Sequence, residues 1–307
     1  MTIRQGAPST YPVKCQGLVK AFGSLRAVDG LDLTVEQGAV HGFLGPNGAG
    51  KTTTIRVLLG LYARSAGDVQ VLGLDPGEHP AEVTRRVSYV PGDVVLWGNL
   101  TGQEVLDVLA RLRGGYDTAV ERDLIERFAL DPAKRVRAYS KGNRQKVMLV
   151  AAFAARTELL VLDEPTSGLD PLMVRVFADC VREAAAQGRT TLLSSHDLAE
   201  VEQLCRDVTI IKDGRLIESG PLSRMRHLAA STVTARLGDQ PGPTLAALRL
   251  VGLDAGNLAD GRVELSVPRA KVPEVLGVLA RADAQDITCV PASLEDLFLR
   301  HYEASPR

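Results

Sequence analysis

Eight residues, Gly45 to Thr52, constrain this chain more than any other stretch. They read GPNGAGKT, a GxxxxGK[ST] pattern between an apolar run, Val40–Leu44, and a helical segment, Thr52–Leu59. Glycines at its first, fourth and sixth positions let the backbone turn so that successive N–H groups point into one concavity, a geometry that suits a phosphate. The following helix adds free first-turn N–H groups and its positive end. Gly45, Pro46, Asn47, Gly48, Ala49 and Gly50 form the cradle, and Lys51 is placed to reach β- and γ-phosphates as a point charge. Thr52 offers a hydroxyl to Mg²⁺ and Thr53 one to an α-phosphate. A chance match in a chain of this length has a probability of roughly a few per cent on ordinary residue frequencies, and the flanking strand and helix lower it. Nucleotide binding, with Mg²⁺ as cofactor, is the expectation.

A second motif fits beside the first. LLVLDEP, Leu159–Pro165, is an apolar strand that ends in two acids. The carboxyl end of a strand is where ligands sit in open α/β sheets. Asp163 there can hold Mg²⁺ through its water shell. Glu164 is expected on the other face of the strand line, where it can orient or deprotonate an attacking water. A strand that simply ends in solvated acids is the plainer reading, and it loses weight next to a phosphate loop.

The stretch YSKGNRQKV, Tyr139–Val147, poses a different question. It leads into a helix expected over Arg144–Ala155, so it makes a second helix end suited to an anion. Ser140 as a simple N-cap is the local explanation.

Elsewhere, alternation predicts strands at Val13–Leu18, Leu31–Val35, Val69–Leu72 and Val87–Val90. Thr101–Leu130 carries apolar residues at helical spacing, and a helix is expected over Pro171–Gln187. A strand, Thr190–Ser194, and a short helix, Leu198–Cys205, lead to a hairpin, Val208–Ile211 and Arg215–Glu218, turning on Asp213-Gly214. Apolar strands alternating with helices imply a mainly parallel sheet covered on both faces. After Gly220-Pro221 the texture changes. Strands at Ser231–Leu237, Val263–Val267 and Ile287–Val290, with helices at Leu245–Leu250 and Val272–Arg281, suggest a small separate α+β domain. A last helix is expected from Ser293, with Asp296 completing a capping-box pattern.

A net charge of −1 gives no bulk reason to bind nucleic acid or an anionic membrane. Cys15, Cys180, Cys205 and Cys289 are scattered without pairing pattern, which fits a reducing compartment. The N-terminus lacks a signal-peptide core. The longest uncharged apolar run, Val147–Ala155, falls far short of the ~20 residues a spanning helix needs.

Taken in order, GPNGAGKTT, YSKGNRQKV, LLVLDEP, SGLD and LLSSH resemble the nucleotide-binding subunit of ATP-binding cassette (ABC) transporters over roughly Val13–Gly220. The family's signature usually reads LSGGQ. Here Tyr139 stands for its Leu, Lys141 for its first Gly and Asn143 for its Gln, while Ser140 and Gly142 remain in place. The resemblance implies a P-loop NTPase core with antiparallel β and helical subdomains, plus the small α+β C-terminal domain. The expected organisation is a tail over 1–12, an ATPase domain over 13–221 with a helical subdomain at about 93–150, and an accessory domain over 222–307.

In this family two cassettes meet head to tail, and the signature helix of one caps the γ-phosphate held by the other. The resemblance therefore implies that Ser140, Lys141, Gly142 and Asn143 face ATP on a partner cassette. It implies that Phe22 stacks on adenine, although a core Phe is the alternative there. Asp170 would lie in the loop that crosses the dimer interface, and His196 would contact the γ-phosphate. The implied activity is ATP hydrolysis with Glu164 and His196 as catalytic residues. The implied partners are a second cassette, in a homodimer, and a polytopic membrane permease, with no nucleic acid. The implied location is cytoplasmic, on the inner face of the cell membrane. The arm around Trp97–Val150 would grip the permease.

One position departs from the pattern. Where the family commonly has a glutamine after Tyr-Val-Pro, this chain has Gly92, which puts the hydrolysis rate and the coupling route in question but not ATP binding. The tail, ending in PASLEDLFLRHYE before its last residues, resembles the extension of bacterial cassettes that export antibiotics and other lipophilic compounds. Competing readings are a P-loop kinase or GTPase, a soluble mechanical cassette ATPase, and a weakly hydrolysing regulatory cassette. The first has no need of YSKGN or SGLD. The second usually has two cassettes or long coiled-coil insertions. Glu164 and His196 weigh against the third.

Overall fold

The computed structural model describes residues 11–113, 115–228, 231–238, 241–253 and 261–290. The chain divides into two compact units, Met1–Gly220 and Pro221–Arg307.

The first unit opens with a long hairpin, β1 (Val13–Phe22) and β2 (Leu25–Val35). Sequence alternation is legible only to Leu18, because the register shifts between Cys15 and Leu18, where Gly17 turns left-handed at φ 58°. Such a bulge breaks the two-residue period on which a sequence reading depends. Next come β3 (Val40–Leu44), α1 (Lys51–Leu58), β4 (Ala66–Val71), α2 (Pro80–Arg86), which the sequence reading omits, and β5 (Val87–Val90). β1 pairs antiparallel with both β2 and β4 in a three-stranded sheet of order β2-β1-β4. Its apolar face packs into one core with Phe43, Ile55, Leu58 and Val161.

The helical stretch after β5 is two helices, α3 (Gly102–Arg113) and α4 (Thr118–Arg127). Asp117 separates them, capping α4 by accepting from the N–H groups of Ala119 and Val120. α5 (Lys141–Ala154) starts three residues before the sequence expectation of Arg144, because Ser140 caps it and the first turn includes Gly142. Then follow β6 (Leu159–Asp163), α6 (Pro171–Ala186), β7 (Thr190–Ser195), α7 (Leu198–Leu204), β8 (Asp207–Lys212) and β9 (Arg215–Pro221).

A six-stranded sheet has the order β5-β6-β7-β3-β8-β9. Strands β5, β6, β7, β3 and β8 are parallel. The β8–β9 turn runs through Asp213 and Gly214, both at positive φ, as a two-residue hairpin requires. Every residue of β3, β6 and β7 is buried, which is why none of these strands alternates between apolar and polar positions, even though β7 carries four hydroxyl residues.

The second unit contains α8 (Leu222–Leu228), β10 (Ser231–Arg236), α9 (Gly242–Leu250), β11 (Arg262–Val267), α10 (Val272–Arg281) and β12 (Gln285–Val290). Its sheet is antiparallel, of order β11-β10-β12. Val233, Leu248, Leu265, Val275 and Leu279 form its core. The helix expected from Ser293 lies outside the described residues. Among the described residues no helix is long and apolar enough to cross a membrane.

Candidate functional site

The glycine-rich loop joins the end of β3 to α1, so its backbone curls over the carboxyl edge of the parallel sheet. Gly50 has φ 104°, and a Cβ there would come within 2.5 Å of the Ala27 carbonyl oxygen. Only glycine meets both conditions. Lys51, 5% exposed, folds back to donate to the carbonyls of Gly45 at 2.6 Å and Pro46 at 3.2 Å. Burial lowers its pKa, while the carboxylates of Glu164 and Asp163 act in the opposite sense.

Asp163 ends β6 and is 2% exposed. Its Oδ2 accepts from Thr52 Oγ1 at 2.8 Å, and its Oδ1 accepts a short bond from Ser194 Oγ on β7. The two strand ends and the first turn of α1 are thereby tied to one carboxylate. Glu164 has left the strand. Its φ is 48°, and its N–H donates to the Ser194 carbonyl at 3.0 Å. This rare backbone state swings the side chain to a place that strand alternation does not predict. Its Oε1 lies 3.6 Å from Lys51 Nζ and 3.3 Å from Nδ1 of His196, a residue just beyond β7. One cation, one carboxylate and one imidazole, all on different segments, thus converge at the mouth of the loop.

Gly92 follows β5 and lies against this group. A Cβ at position 92 would stand 3.1 Å from the Asp163 carbonyl oxygen and 3.5 Å from Glu164 Cβ.

Phe22, at the end of β1, is 45% exposed and so is not a core residue. Its ring meets Tyr62 edge-on at 5.5 Å, and Lys20 Nζ sits 4.6 Å from its centroid. Tyr62, which also accepts from Arg56 Nη1 at 3.0 Å, is a neighbour that sequence reasoning misses. The same holds for Ser194 and for Glu200. Glu200 is buried on α7 and accepts from Ser195 Oγ at 2.7 Å, and burial above all pushes its carboxyl up to about 6. Isolated polar residues whose partners fall outside any motif leave no local pattern to read.

Ser140 caps α5, its Oγ accepting from the Asn143 N–H at 3.2 Å. Asp170 caps α6, its Oδ1 accepting from the N–H groups of Leu172 and Met173 at 3.0 Å each. Gly142 packs so closely on Gly168 that a Cβ would run into the Gly168 carbonyl oxygen. Lys141 Nζ donates to Ser167 Oγ at 2.7 Å. Among the described residues no hydrogen bond or ion pair joins residues 140–143 to the loop at 45–53 of the same chain.

Known proteins resemble this chain in sequence and in fold. A family model for ABC transporters matches residues 28–167. The daunorubicin/doxorubicin resistance ATP-binding protein DrrA of Streptomyces peucetius is 39% identical over 236 residues, covering 75% of this chain and 72% of that one. The daunorubicin resistance ATP-binding protein DrrA3 of Streptomyces coeruleorubidus is 35% identical over 301 residues, covering 94% of each chain. The solved structure of an ATP-binding subunit of an ABC transporter superposes with a TM-score of 0.66 at 31% identity, covering 70% of this chain and 92% of that one. The chain therefore belongs to the ABC transporter ATP-binding proteins and is an ATPase of that family.

Proposed function

We propose that this chain powers a membrane exporter of drugs, antibiotics or other lipophilic compounds. In this reading, 13–221 is the cassette, about 93–150 its helical arm, and 222–307 an accessory domain. The observation that carries the reading is the convergence of Lys51, Glu164 and His196 beside the Thr52–Asp163 pair.

ATP would enter with its phosphates in the loop of residues 45–53 and its base against Phe22. Lys51 would exchange two neutral carbonyl acceptors for phosphate oxygens, and bonds to charged acceptors are the stronger ones. Mg²⁺ fits the residues present. The Thr52 hydroxyl and one Asp163 oxygen already face each other, and this ion takes one or two protein oxygens with phosphate and water completing its shell. Bound there, it would neutralise developing phosphate charge. Glu164 would accept a proton from water as the water oxygen bonds to the γ-phosphorus and the bond to the bridging oxygen breaks. His196 would hold the γ-phosphate and the Glu164 carboxylate in one geometry.

Among the described residues the signature segment makes no hydrogen bond or ion pair with its own loop, and it has a helix N-terminus to offer, which supports a site completed by a second copy. Ser140 and the Gly142 N–H would then meet the γ-phosphate of the partner copy, with Lys141 and Asn143 beside them and Asp170 at the interface. One intact set of motifs suits a homodimer. Val95, 85% exposed, and Trp97, 50% exposed, follow β5 and offer apolar surface to a polytopic permease. The names of the two relatives support a drug as cargo. The chain would work at the cytoplasmic face of the cell membrane.

The test is Glu164→Gln in the purified chain. The variant is expected to bind ATP, to hydrolyse it at least about a hundredfold more slowly, and to become dimeric with ATP. Hydrolysis near the wild-type rate would remove Glu164 from its role.

A further inference from the structure

The turn after Glu164 and the start of α5 are built against each other. Besides the bond from Lys141 Nζ to Ser167 Oγ at 2.7 Å, the Lys141 stem covers Gly168. A Cβ at 168 would lie 3.3 Å from Lys141 Cγ and 3.4 Å from the Gly142 nitrogen. Gly168 itself is left-handed at φ 82°. Side chains are excluded at both glycines, so the two backbones touch directly. The same turn closes back on its own start, the Ser167 N–H donating to the Glu164 carbonyl at 3.1 Å and the Leu169 N–H to that of Thr166 at 3.0 Å.

Lys141 stands in the first turn of α5, where the positive end of the helix disfavours a cation. Among the described residues no carboxylate forms an ion pair with it. The Ser167 hydroxyl is what fixes its ammonium in place.

We propose that Ser167 is a positioning residue. Through Lys141 it ties the Glu164 turn, which serves the chain's own phosphate site, to the helix start that the same chain presents to its partner's site. Displacement of that turn during hydrolysis in one site moves Ser140 and Gly142 at the other. The proposal rests on the shared-site reading above.

The test uses the full chain as wild type, Ser167→Ala, Ser167→Thr, Lys141→Ala and the Lys141→Ala/Ser167→Ala double variant. The readouts are kcat, the KM for ATP and equilibrium binding of a fluorescent ATP analogue. Loss of one charge-assisted bond is expected to lower kcat of Ser167→Ala by about three- to tenfold, with analogue binding within about twofold of wild type. Ser167→Thr keeps the hydroxyl and restores most of the rate. The double variant is no slower than Lys141→Ala by more than about twofold, since both changes break one link. A wild-type kcat in Ser167→Ala, or losses that multiply in the double variant, would overturn the proposal. A wild-type chain that neither binds the analogue nor hydrolyses ATP would instead contradict the nucleotide reading, so the two failures are distinct.

Discussion

His196 sets its Nδ1 3.3 Å from Oε1 of Glu164. Lys51 Nζ reaches the same oxygen from within the loop at 3.6 Å. The carboxylate is thus held from two sides, on a residue whose φ of 48° is sparsely populated by residues other than glycine. Strain of this kind persists only where the surroundings impose it, and here the N–H bond to the Ser194 carbonyl does so.

His196→Ala leaves Glu164 without its lateral partner. The expected result is a kcat at least about tenfold lower with a KM for ATP within about threefold, because in the proposed role the imidazole aligns the γ-phosphate with Glu164 while the loop supplies most of the binding. Steady-state kinetics on the purified chain measures both. A change in KM alone would move His196 from catalysis to binding.

Lys51→Ala removes a buried cation and leaves the carbonyls of Gly45 and Pro46 with one partner fewer. Nucleotide affinity is expected to fall on the order of a hundredfold, the equivalent of one or two charge-assisted bonds. Calorimetric titration with ADP and with ATP reads this directly, and ATP should lose more if the ammonium reaches the γ-phosphate.

Much of this site is contiguous in sequence, and for that reason legible there. GPNGAGKT and LLVLDEP each place their chemistry within one strand-to-loop step, so periodicity and spacing suffice. Glu164 is the exception inside a legible motif, since a left-handed residue after a strand cannot be read from alternation. Tyr62 beside Phe22, Ser194 on Asp163 and Ser167 on Lys141 are pairs made by tertiary contact, and no short window holds both members. The β1–β2 hairpin was half visible because the bulge at Gly17 breaks its period. α5 starts earlier than its apolar pattern because a cap and a glycine, not hydrophobic residues, define its first turn.

Gly92→Gln tests the departure from the family pattern. A Cβ at 92 would stand 3.1 Å from the Asp163 carbonyl, so the Asp163–Glu164 peptide must shift by a few tenths of an ångström. The expected outcome is an altered kcat with ATP affinity within about tenfold of wild type, a change no larger than about 1.4 kcal/mol. Complete loss of binding would contradict the placement of Gly92 beside Glu164 as a coupling position.

Glu200→Gln tests the buried carboxyl on α7. Burial raises its pKa from 4.5 to about 6. The folded state therefore holds this proton more tightly than the unfolded one, so stability is full below about pH 4.5 and is lost as pH rises through about 6. The ionised group costs on the order of 2 kcal/mol at neutral pH. Glutamine keeps an acceptor for Ser195 and removes that cost. The variant is expected to have a higher Tm than wild type at pH 7.5, with the gap closing as pH falls toward 4.5. Equal melting curves at pH 7.5 would contradict the assignment.

Whether the chain drives a transporter is tested most directly by what it holds in the cell. The chain is tagged in its native cells, the membranes are dissolved in mild detergent, and proteins that co-purify in stoichiometric amount are identified. The expected result is one polytopic membrane protein, together with ATPase activity that Glu164→Gln abolishes in the same complex. Recovery with ribosomes, or with soluble partners alone, would contradict a role in transport and leave a mechanical ATPase in its place.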